Sequence, residues 1–181
     1  QTARPGARVL YGSFASNVDM RSGAPALGTP EYTKAALASG QIARRLKLPL
    51  RSSNTTSSNC VDAQAAYEGG MSLWGAIMGH ANLVVHAAGW VENGLTASYE
   101  KLVMDNEIIG RCLRVLRGIE VNDETIALDL MLDVHAAGRS DFLGEEHTIR
   151  HMRSEFAPNT ISDRDHRKQW EAAGSKDTFA R

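Results

Sequence analysis

Three short apolar segments, each followed by a segment that favours a helix, constrain the fold of this chain more than any other feature. The apolar segments begin near residues 8, 48 and 82 of the 181-residue sequence. The chain therefore repeats a strand and a helix roughly every 35 to 40 residues, which is the pattern of an α/β protein. Because each helix returns the chain to the starting end of the sheet, we predict parallel strands at residues 8–13, 48–53 and 83–87.

The first two helices have clear amino-terminal signals. Thr29, Pro30 and Glu31 provide a cap, a proline at the first helical position and an acidic side chain in the first turn. We expect this helix to extend to about Leu46. Asp62 is expected to cap the second helix. That helix carries large side chains at spacings of three and four, which we expect to be buried against the sheet: Tyr67, Met71, Trp74 and Met78.

The third helix is predicted over residues 99–116, and Gly118 follows its end. One side of this helix is apolar and is formed by Leu102, Ile109, Leu113 and Leu116. Beyond it the strands stop and helical patterns continue. One helix is expected from Asn122 or Asp123 to Gly138 and another around Ile149, Met152 and Phe156.

These elements predict a single domain over residues 1–181, with three strand–helix units in residues 1–119 and a helical carboxyl-terminal extension in residues 120–181. Three units are close to half of a (β/α)8 TIM barrel, which typically needs about 250 residues. An isolated half barrel leaves two unpaired sheet edges, so we expect such a chain to form a homo-oligomer. The sequence leaves two alternatives open: an open sheet, or a barrel whose other half lies outside this chain.

Charge and composition exclude several functional classes. With 20 lysine and arginine residues against 21 aspartate and glutamate residues, the chain lacks the excess positive charge of a nucleic-acid-binding protein. No apolar segment approaches the roughly 20 residues that span a bilayer, so we expect no membrane partner. Cys60 and Cys112 fit no metal-binding or redox spacing, which favours a reducing, cytoplasmic location.

The third apolar segment delivers the most promising candidate site. Residues 83–85 form an uninterrupted apolar run, as expected of a strand buried on both faces of a sheet, and His86, Trp90 and Glu92 follow it. Ligands of α/β proteins bind at the carboxyl ends of parallel strands, so these side chains are candidates for ligand contact. The alternative is that His86 is a hydrogen-bonded core histidine, Trp90 a packing residue and Glu92 a solvated charge.

Two polar segments also lie where strands meet helices. Residues 52–59 are serine, threonine and asparagine only, and they form either a flexible linker or the lining of a polar pocket that includes Asn54. Residues 15–30 form a long turn-rich loop in which Asp19 is a candidate for ligand contact. The alternative for that loop is a solvated turn in which Asp19 interacts with Arg21.

The six histidines give no established metal motif. His147 and His151 stand four residues apart, the spacing of two ligands on one helix face, but the His-Glu-x-x-His pattern of zinc proteases is absent. We therefore predict no metal ligand in this chain and interpret the pair as decorating a helix. A metal-assisted hydrolase remains the weakest of the functional alternatives.

Several longer segments occur together in a fixed order, and they resemble the carboxyl-terminal half of the trimethylamine methyltransferase family, whose members without pyrrolysine include glycine betaine methyltransferases. The segments are Tyr11-Gly12-Ser13, Asp19-Met20-Arg21, Gly28-Thr29-Pro30-Glu31, Asp62-Ala63-Gln64-Ala65-Ala66-Tyr67-Glu68, Gly89-Trp90-Val91-Glu92, Glu100-Lys101-Leu102-Val103-Met104-Asp105-Asn106-Glu107 and Gln169-Trp170-Glu171-Ala172-Ala173-Gly174-Ser175. The resemblance covers nearly the whole chain.

This resemblance implies an enzyme: a (β/α)8 barrel that passes a methyl group from a small methylated amine to the cobalt of a separate corrinoid protein. The corrinoid belongs to that partner, so the resemblance implies no cofactor bound directly by this chain. Pyrrolysine in trimethylamine enzymes precedes the Asp62-Ala63-Gln64 motif, where this sequence has ordinary residues. We therefore expect no pyrrolysine chemistry and a substrate such as glycine betaine.

Positions at strand ends suggest roles for several side chains in binding such a substrate. These roles rest on position and not on a match to known functional residues of the family, and no catalytic residue is assigned. Trp90, with Tyr11 and Tyr99, is expected to provide aromatic faces for a quaternary ammonium, and Glu92 a charge partner. His86 and the Asn54 amide are expected to hold a substrate carboxylate by hydrogen bonds. The main alternative is a binding module that recognises a quaternary amine without turning it over.

Overall fold

The fold is described from a computed structural model that covers residues 3–12, 14–157, 160–178 and 180. The strands of this part of the chain are β1 (Tyr11–Gly12), β2 (Asn17–Val18), β3 (Pro25–Ala26), β4 (Leu50–Ser53), β5 (Leu83–Val85), β6 (Trp90–Val91) and β7 (Thr96–Ala97). The helices are α1 (Pro30–Arg45), α2 (Ala63–Met78), α3 (Tyr99–Leu116), α4 (Asp123–Ile126), α5 (Leu128–Ala136), α6 (Glu146–Glu155) and α7 (Arg167–Ala172), with a 3-10 turn at Glu92–Gly94.

A parallel sheet in the order β1-β4-β5 forms the centre of the fold. Tyr11 lies opposite Leu50 in the first pair of strands, and Arg51 lies opposite Leu83 in the second. α1 connects β1 to β4 and α2 connects β4 to β5, so each crossover contains a helix. The prediction of an α/β fold with three parallel strands is confirmed, whereas the prediction that they are half of a barrel stays a prediction.

All three strands are shorter than the sequence predicts, and β4 begins at Leu50 rather than at Leu48. β1 begins at Tyr11 rather than at Arg8, because Leu10 would pair beside Pro49, which has no N–H to donate to the ladder. The Tyr11 N–H donates to the Pro49 carbonyl at 2.8 Å, and this is the last bond at that end. Ser13 lies outside the described residues. β5 ends at Val85 rather than at Ala87, because His86 adopts a left-handed conformation with φ of 54°.

The prediction that β5 is buried on both faces is wrong for this chain. β5 lies at the edge of the sheet, and the Leu83 side chain is 48% exposed. A strand can have a continuous apolar sequence at the edge of a sheet as well as in its interior. The sequence alone therefore does not distinguish the two positions.

The predicted caps of α1 and α2 are confirmed, and Ser98 caps α3 in the same way. Side-chain oxygens of Thr29, Asp62 and Ser98 accept hydrogen bonds from the N–H groups of Tyr32, Ala65 and Lys101 at 3.2, 3.0 and 3.2 Å. Each bond satisfies a donor that the first turn of a helix otherwise leaves unpaired. The predicted bounds of α3 match the structure at both ends.

The prediction that the aromatic and methionine stripe of α2 is buried is wrong. Trp74 is 37% and Met78 51% exposed, and Tyr67 and Met71 are also exposed. α2 instead buries small residues, since a Cβ added to Gly40 of α1 would overlap the Gly79 carbonyl oxygen at the end of α2. This close approach of the two helices admits small side chains only, so the large ones lie on the opposite side.

The carboxyl-terminal extension is helical as predicted, with one difference. The helix expected from Asn122 to Gly138 is divided into α4 and α5 at Ala127, which has a left-handed φ of 50°. Its own N–H still donates to the Asp123 carbonyl at 3.0 Å. Among the described residues, no helix has the length and apolar character needed to cross a membrane.

Candidate functional site

The polar segment that follows β4 is packed inside the protein and is not a flexible linker. Ser53, Asn54, Thr55 and Thr56 have no exposed surface, and Ser58 is nearly as buried. The backbone N–H of Asn54 donates to the Val85 carbonyl at 3.3 Å, and its Nδ2 donates to the Ala87 carbonyl at 2.7 Å. The segment therefore connects the carboxyl ends of β4 and β5.

The Glu68 side chain of α2 binds this polar segment through hydrogen bonds. Its Oε2 atom accepts hydrogen bonds from the Thr56 hydroxyl and from the N–H groups of Ser57 and Ser58, the last two at 2.7 and 3.2 Å. Gln64 donates to the other carboxylate oxygen at 2.8 Å. The four hydrogen bonds to this buried carboxylate fix the loop around it.

The loop after β5 is held against the same segment and carries unusual backbone geometry. The N–H groups of Glu92 and Asn93 donate to the carbonyls of Ser58 and Thr56 at 2.8 and 2.9 Å. Positive φ angles occur at His86 (54°), Glu92 (52°) and Asn93 (56°), besides Gly89 and Gly94. Left-handed residues other than glycine cost free energy and accumulate at binding and catalytic sites, so this loop is the best candidate for a functional site.

Aromatic rings gather at this strand end. The rings of His86 and Trp90 meet edge to face, with centroids 5.1 Å apart, and Phe14 lies 6.1 Å from His86 on the other side. The Ser53 hydroxyl lies 3.0 Å from His86 Nδ1, and this contact fixes the direction of the imidazole. We call Phe14, His86 and Trp90 the aromatic cluster.

A cation borders the aromatic cluster. The guanidinium carbon of Arg51 in β4 lies 5.8 Å from the centroid of the Phe14 ring, within the range of a cation–π interaction. Arg51 is opposite Gly12 in β1, and an added Cβ at Gly12 would lie 3.7 Å from Arg51 Cδ. A small side chain at that position would therefore lie in ordinary van der Waals contact with the arginine.

Behind the loop lies an ion pair with no exposed surface. Lys101 Nζ pairs with Asp105 Oδ1 one turn along α3, and both side chains are completely buried. Asp105 Oδ2 accepts a hydrogen bond from the Gly89 N–H at 2.9 Å. The pair therefore positions the backbone immediately before Trp90.

Three buried side-chain oxygens have no hydrogen-bond partner within the described residues: Ser52 Oγ, Asn54 Oδ1 and Thr55 Oγ1. Unpaired buried polar atoms are costly and uncommon in folded proteins. Tyr32 reaches the same region, where its hydroxyl donates to the Ser53 carbonyl at 3.2 Å. Burial raises the pKa of the Tyr32 phenol, which keeps it a neutral donor at physiological pH.

The structure brings some of the predicted site residues together and leaves others apart. It brings His86 and Trp90 into contact, while Asn54 is wholly buried with its amide on Ala87. Glu92 is exposed and accepts a hydrogen bond from the Thr96 hydroxyl. Tyr11 lies in β1, half-buried, and Tyr99 is exposed at the start of α3. The ligand-binding roles of these residues stay predictions.

Asp19 serves the turn between β2 and β3. Its Oδ1 atom accepts hydrogen bonds from the N–H groups of Arg21 and Ser22 at 2.9 and 2.8 Å and from the Ser22 hydroxyl at 3.0 Å. These bonds, the Ser22 N–H first, hold the pKa of the exposed Asp19 carboxyl below its ordinary value. The loop thus contains the local Asp19 to Arg21 contact that was one of its two interpretations, and a contact of Asp19 with a ligand stays a prediction.

Sequence reasoning missed Phe14, Arg51, Glu68, Lys101 and Asp105 as parts of this region. The four-residue spacing of Lys101 and Asp105 is typical of an ordinary exposed ion pair on a helix. α3 has a charged side with Lys101 and Asp105 and an apolar side with Leu102 and Leu113. The sequence pattern alone did not decide which of the two sides is buried. Arg51 belongs to a strand whose side-chain direction depends on register, which the sequence did not specify. Phe14 follows β1 and lies outside the strand predicted over residues 8–13.

Together these features form a partly open aromatic surface on a rigid, buried polar base. Trp90 and His86 are half-buried and Phe14 is exposed, so their rings are accessible to a ligand. Such a surface can bind an organic cation through ring faces, and Arg51 beside it can pair with an anionic group.

Comparison with known proteins shows which sequences this chain resembles. The sequence model described as trimethylamine methyltransferase (MTTB) matches residues 1–181. The chain is 38% identical over 171 residues to the glycine betaine methyltransferase of Desulfitobacterium hafniense strain Y51, covering 94% of this chain and 35% of that protein. It is 35% identical over 178 residues to trimethylamine methyltransferase MttB of Desulfitobacterium hafniense strain DSM 10664 / DCB-2. This match covers 98% of this chain and 35% of that protein.

A third relative is trimethylamine methyltransferase MttB1 of Methanosarcina mazei, which is 34% identical over 181 residues, covering 99% of this chain and 36% of that protein. The chain thus spans 35% or 36% of the length of these three relatives. The resemblance inferred from its motifs is confirmed. The chain belongs to the trimethylamine methyltransferase family.

Proposed function

We propose that a protein containing this chain is a methyltransferase that takes a methyl group from a quaternary methylamine of the glycine betaine type and passes it to a corrinoid protein. The family assignment and the names of the relatives support the methyltransferase class and a methylated amine substrate. The corrinoid acceptor is the expectation that the sequence resemblance carries. A cytoplasmic location and a homo-oligomeric state are part of the same proposal.

The observation that carries the proposal is the aromatic cluster at the carboxyl end of the parallel strands. A quaternary ammonium has no N–H to donate, so a protein recognises it through aromatic faces and excluded water rather than through hydrogen bonds. Trp90 is the best ring for this purpose, and its edge-to-face contact with His86 holds it in place.

The reaction makes small demands on acid–base chemistry. When the C–N bond breaks, its electron pair stays on nitrogen, so the amine leaves neutral and needs no proton. The corrinoid of the partner protein supplies the nucleophile that receives the methyl group. The residues of this chain have to bind the cation, exclude water and point one methyl group away from the cluster.

Arg51 favours a substrate that carries a carboxylate. Its guanidinium lies over the Phe14 ring, at one end of a row of contacts that continues through His86 to Trp90. A bare trimethylammonium group gains nothing from a neighbouring arginine, whereas a betaine offers a carboxylate to it. The site is therefore better suited to glycine betaine than to trimethylamine.

The test of this proposal separates turnover from binding. The purified protein is mixed with glycine betaine and a corrinoid protein whose cobalt has been reduced, and dimethylglycine is measured by mass spectrometry. We expect dimethylglycine to form only when the corrinoid protein is present. If glycine betaine binds by calorimetry but no dimethylglycine forms, the protein is a binding module and the proposed methyl transfer is wrong.

Substitution of Arg51 tests the substrate class. We expect Arg51→Gln to weaken glycine betaine binding by about 1.5 to 3 kcal/mol, the range for hydrogen bonds to charged groups, and to leave tetramethylammonium binding unchanged. Arg45→Gln is the matched control, because Arg45 is an exposed arginine at the end of α1. Equal losses for both ligands would show that Arg51 supports the fold rather than the carboxylate.

A further inference from the structure

A second cluster of side chains lies in the carboxyl-terminal extension, outside the strand-end site. Glu124 of α4 faces His147 and His151, which are one turn apart on α6. One ligand atom from each of the three residues lies within 4.8 Å of the other two. The imidazole centroids are 4.5 Å apart, so the two rings are direct neighbours.

The hydrogen bonds of this cluster orient its rings as metal-binding histidines are oriented. His147 Nε2 lies 2.9 Å from the main-chain carbonyl oxygen of Glu124. A carbonyl only accepts, so Nε2 carries a proton, and in the neutral imidazole Nδ1 then holds the lone pair that a metal ion would need. An imidazole that donates one N–H to a carbonyl and offers its other nitrogen to a metal is the usual arrangement around zinc. His151 Nε2 lies 3.3 Å from Glu124 Oε1.

Arg150 competes for the Glu124 carboxylate, but it has a second acceptor. The guanidinium pairs with Glu124 Oε1 and, at 3.0 Å, with Glu146 Oε1 on its own helix. All three side chains are at least half exposed, and ion pairs at such positions contribute little. Glu124 can therefore turn towards a metal ion while Arg150 keeps its contact with Glu146.

We propose that Glu124, His147 and His151 form a site for a divalent transition metal of the Zn²⁺ type. Two imidazoles with one carboxylate suit Zn²⁺ and its neighbours better than Mg²⁺ or Ca²⁺, which prefer oxygen ligands alone. Metal–ligand bonds of about 2.0 to 2.2 Å require the ligand atoms to close in from their present separations. Glu124 is exposed and the two histidines are half-buried, so the Glu124 side chain can make most of that movement.

The site has a role separate from methyl transfer. Its ligands come from α4 and α6, whereas the aromatic cluster follows β1 and β5. A metal ion bound to both helices would join residues 124 and 151 across the turn-rich segment between α5 and α6. We expect it to fix the helical extension and to leave one coordination position open to water.

Titration calorimetry with Zn²⁺ alone tests this inference. The protein is first dialysed against a chelator, and Cys60→Ser is used as the background because the Cys60 thiol is exposed. We expect one equivalent of Zn²⁺ to bind. His147→Ala, His151→Ala and Glu124→Gln should each weaken the affinity at least about tenfold, since each removes one ligand. His80→Ala and His135→Ala remove exposed histidines elsewhere and should leave the affinity unchanged.

Two further measurements make the outcome decisive. The metal-free variants are melted first, and a melting temperature equal to that of the parent shows that a loss of affinity reflects a lost ligand. Co²⁺ in place of Zn²⁺ should give the absorption bands of a nitrogen and oxygen site, and these should vanish in the His147→Ala variant. If Zn²⁺ fails to bind, or if the double variant of His147 and His151 binds it as tightly as the parent, the proposal is wrong.

Discussion

At the scale of single residues, Lys101 and Asp105 form the interaction with the largest expected effect on stability. Removing two charges from water costs several kcal/mol per ion, and the pair offsets this only while both partners are present. Asp105 also holds the Gly89 N–H, so the same carboxylate connects α3 to the loop that carries Trp90.

We predict that Asp105→Ala destabilises the protein by about 3 to 5 kcal/mol, because it leaves the Lys101 ammonium buried without a partner. The double variant Lys101→Met and Asp105→Leu should lose less, since apolar side chains need no partner. Urea unfolding measures both values. Glu171→Ala is the control, because it breaks the exposed pair of Glu171 with Arg167 and should cost less than about 1 kcal/mol. Equal losses in all three would show that the burial of the pair is unimportant.

The site was predictable only in part at this scale. The contact of His86 with Trp90 follows from their place after a strand, and the sequence predicted that both lie at one end of the sheet. Glu68 and Asp105 were not predictable, because charged side chains on helices are usually exposed and nothing local in their neighbourhood indicates the opposite.

At the scale of elements, α2 and α3 each bury the side that lacks the large apolar residues, which is the opposite of what their sequences indicate. α2 buries Ala65, Leu73 and Ala76 against the fold and exposes its large side chains. α3 buries Lys101, Asp105 and Cys112, while Leu102, Leu113 and Leu116 are exposed. Helical periodicity predicts that a side is apolar, but the close packing of α2 against α1 decides which side turns inward.

We predict that Leu73→Ala destabilises the protein far more than Trp74→Ala. Leu73 is 5% exposed, and truncating a buried leucine costs about 2 to 5 kcal/mol because a cavity remains. Trp74 is 37% exposed and should cost less than half as much, even though its side chain is larger. Chemical denaturation of the two variants gives the comparison. A greater loss for Trp74→Ala would mean that its side of α2 is covered in solution.

Glu107 attaches the carboxyl-terminal segment to α3. Its Oε2 atom accepts hydrogen bonds from the N–H groups of Thr160 and Ile161 at 3.0 and 2.7 Å, and Arg111 pairs with Oε1 at 2.7 Å. Burial opposes ionisation, but the bonds from Ile161, Ser162 and Thr160 outweigh it and hold the pKa of Glu107 well below its ordinary value of 4.5. The carboxylate is thus the charged anchor of this segment.

The sign of the pH dependence follows from that lowered pKa. A group whose pKa is lower in the folded state stabilises the fold fully above its unfolded pKa and loses this effect as pH falls towards the folded value. We expect the segment to stay attached at neutral pH and to detach only in acid well below pH 4.5. Limited pepsin cleavage follows the detachment in acid, and limited trypsin cleavage at Arg164 and Lys168 measures the attachment at neutral pH.

Glu107→Gln should increase that cleavage already at neutral pH, because a neutral amide binds the N–H groups less strongly. Glu100→Gln is the control on the same helix, since Glu100 is exposed and its carboxylate accepts a hydrogen bond from the Ser98 hydroxyl at 2.6 Å. Equal cleavage of the two variants would contradict the role of Glu107.

At the scale of the whole molecule, the central sheet has two open edges. β1 and β5 have one neighbour each within the described residues, and both are short. The apolar sides of α2 and α3 are exposed at the same time. Unpaired edges and apolar surfaces favour association with another chain.

We predict that this chain, expressed by itself, forms oligomers or aggregates. Light scattering measures its mass, and Leu83→Lys should reduce the association because a charge on an edge strand opposes pairing. Trp74→Lys tests the apolar side of α2 in the same way. A monodisperse monomer with a cooperative melt would show that the open edges have no such consequence.

The α/β class, the parallel pairing and the ends of the long helices were predictable, because caps and apolar runs are local signals such as Thr29, Asp62 and residues 83–85. The β2–β3 and β6–β7 hairpins were not, because each strand has two residues and no periodicity to detect. Local sequence patterns do not specify how a sheet continues beyond β5. The closure of a barrel therefore stays a prediction.

The central claim is that Trp90 binds a quaternary ammonium, and titration of glycine betaine into Trp90 variants tests it most directly. Cation–π contacts contribute about 0.5 to 2 kcal/mol, so Trp90→Ala should weaken binding roughly two- to thirtyfold, while Trp90→Phe should recover part of the loss. Trp170→Ala is the control, because the Trp170 indole donates to the Lys176 carbonyl at 2.9 Å in the carboxyl-terminal segment. Each variant is melted first to show that it is folded. We expect Trp90→Leu to bind as weakly as Trp90→Ala, and if it binds as well as Trp90→Phe, then Trp90 is a packing residue and the aromatic site is wrong.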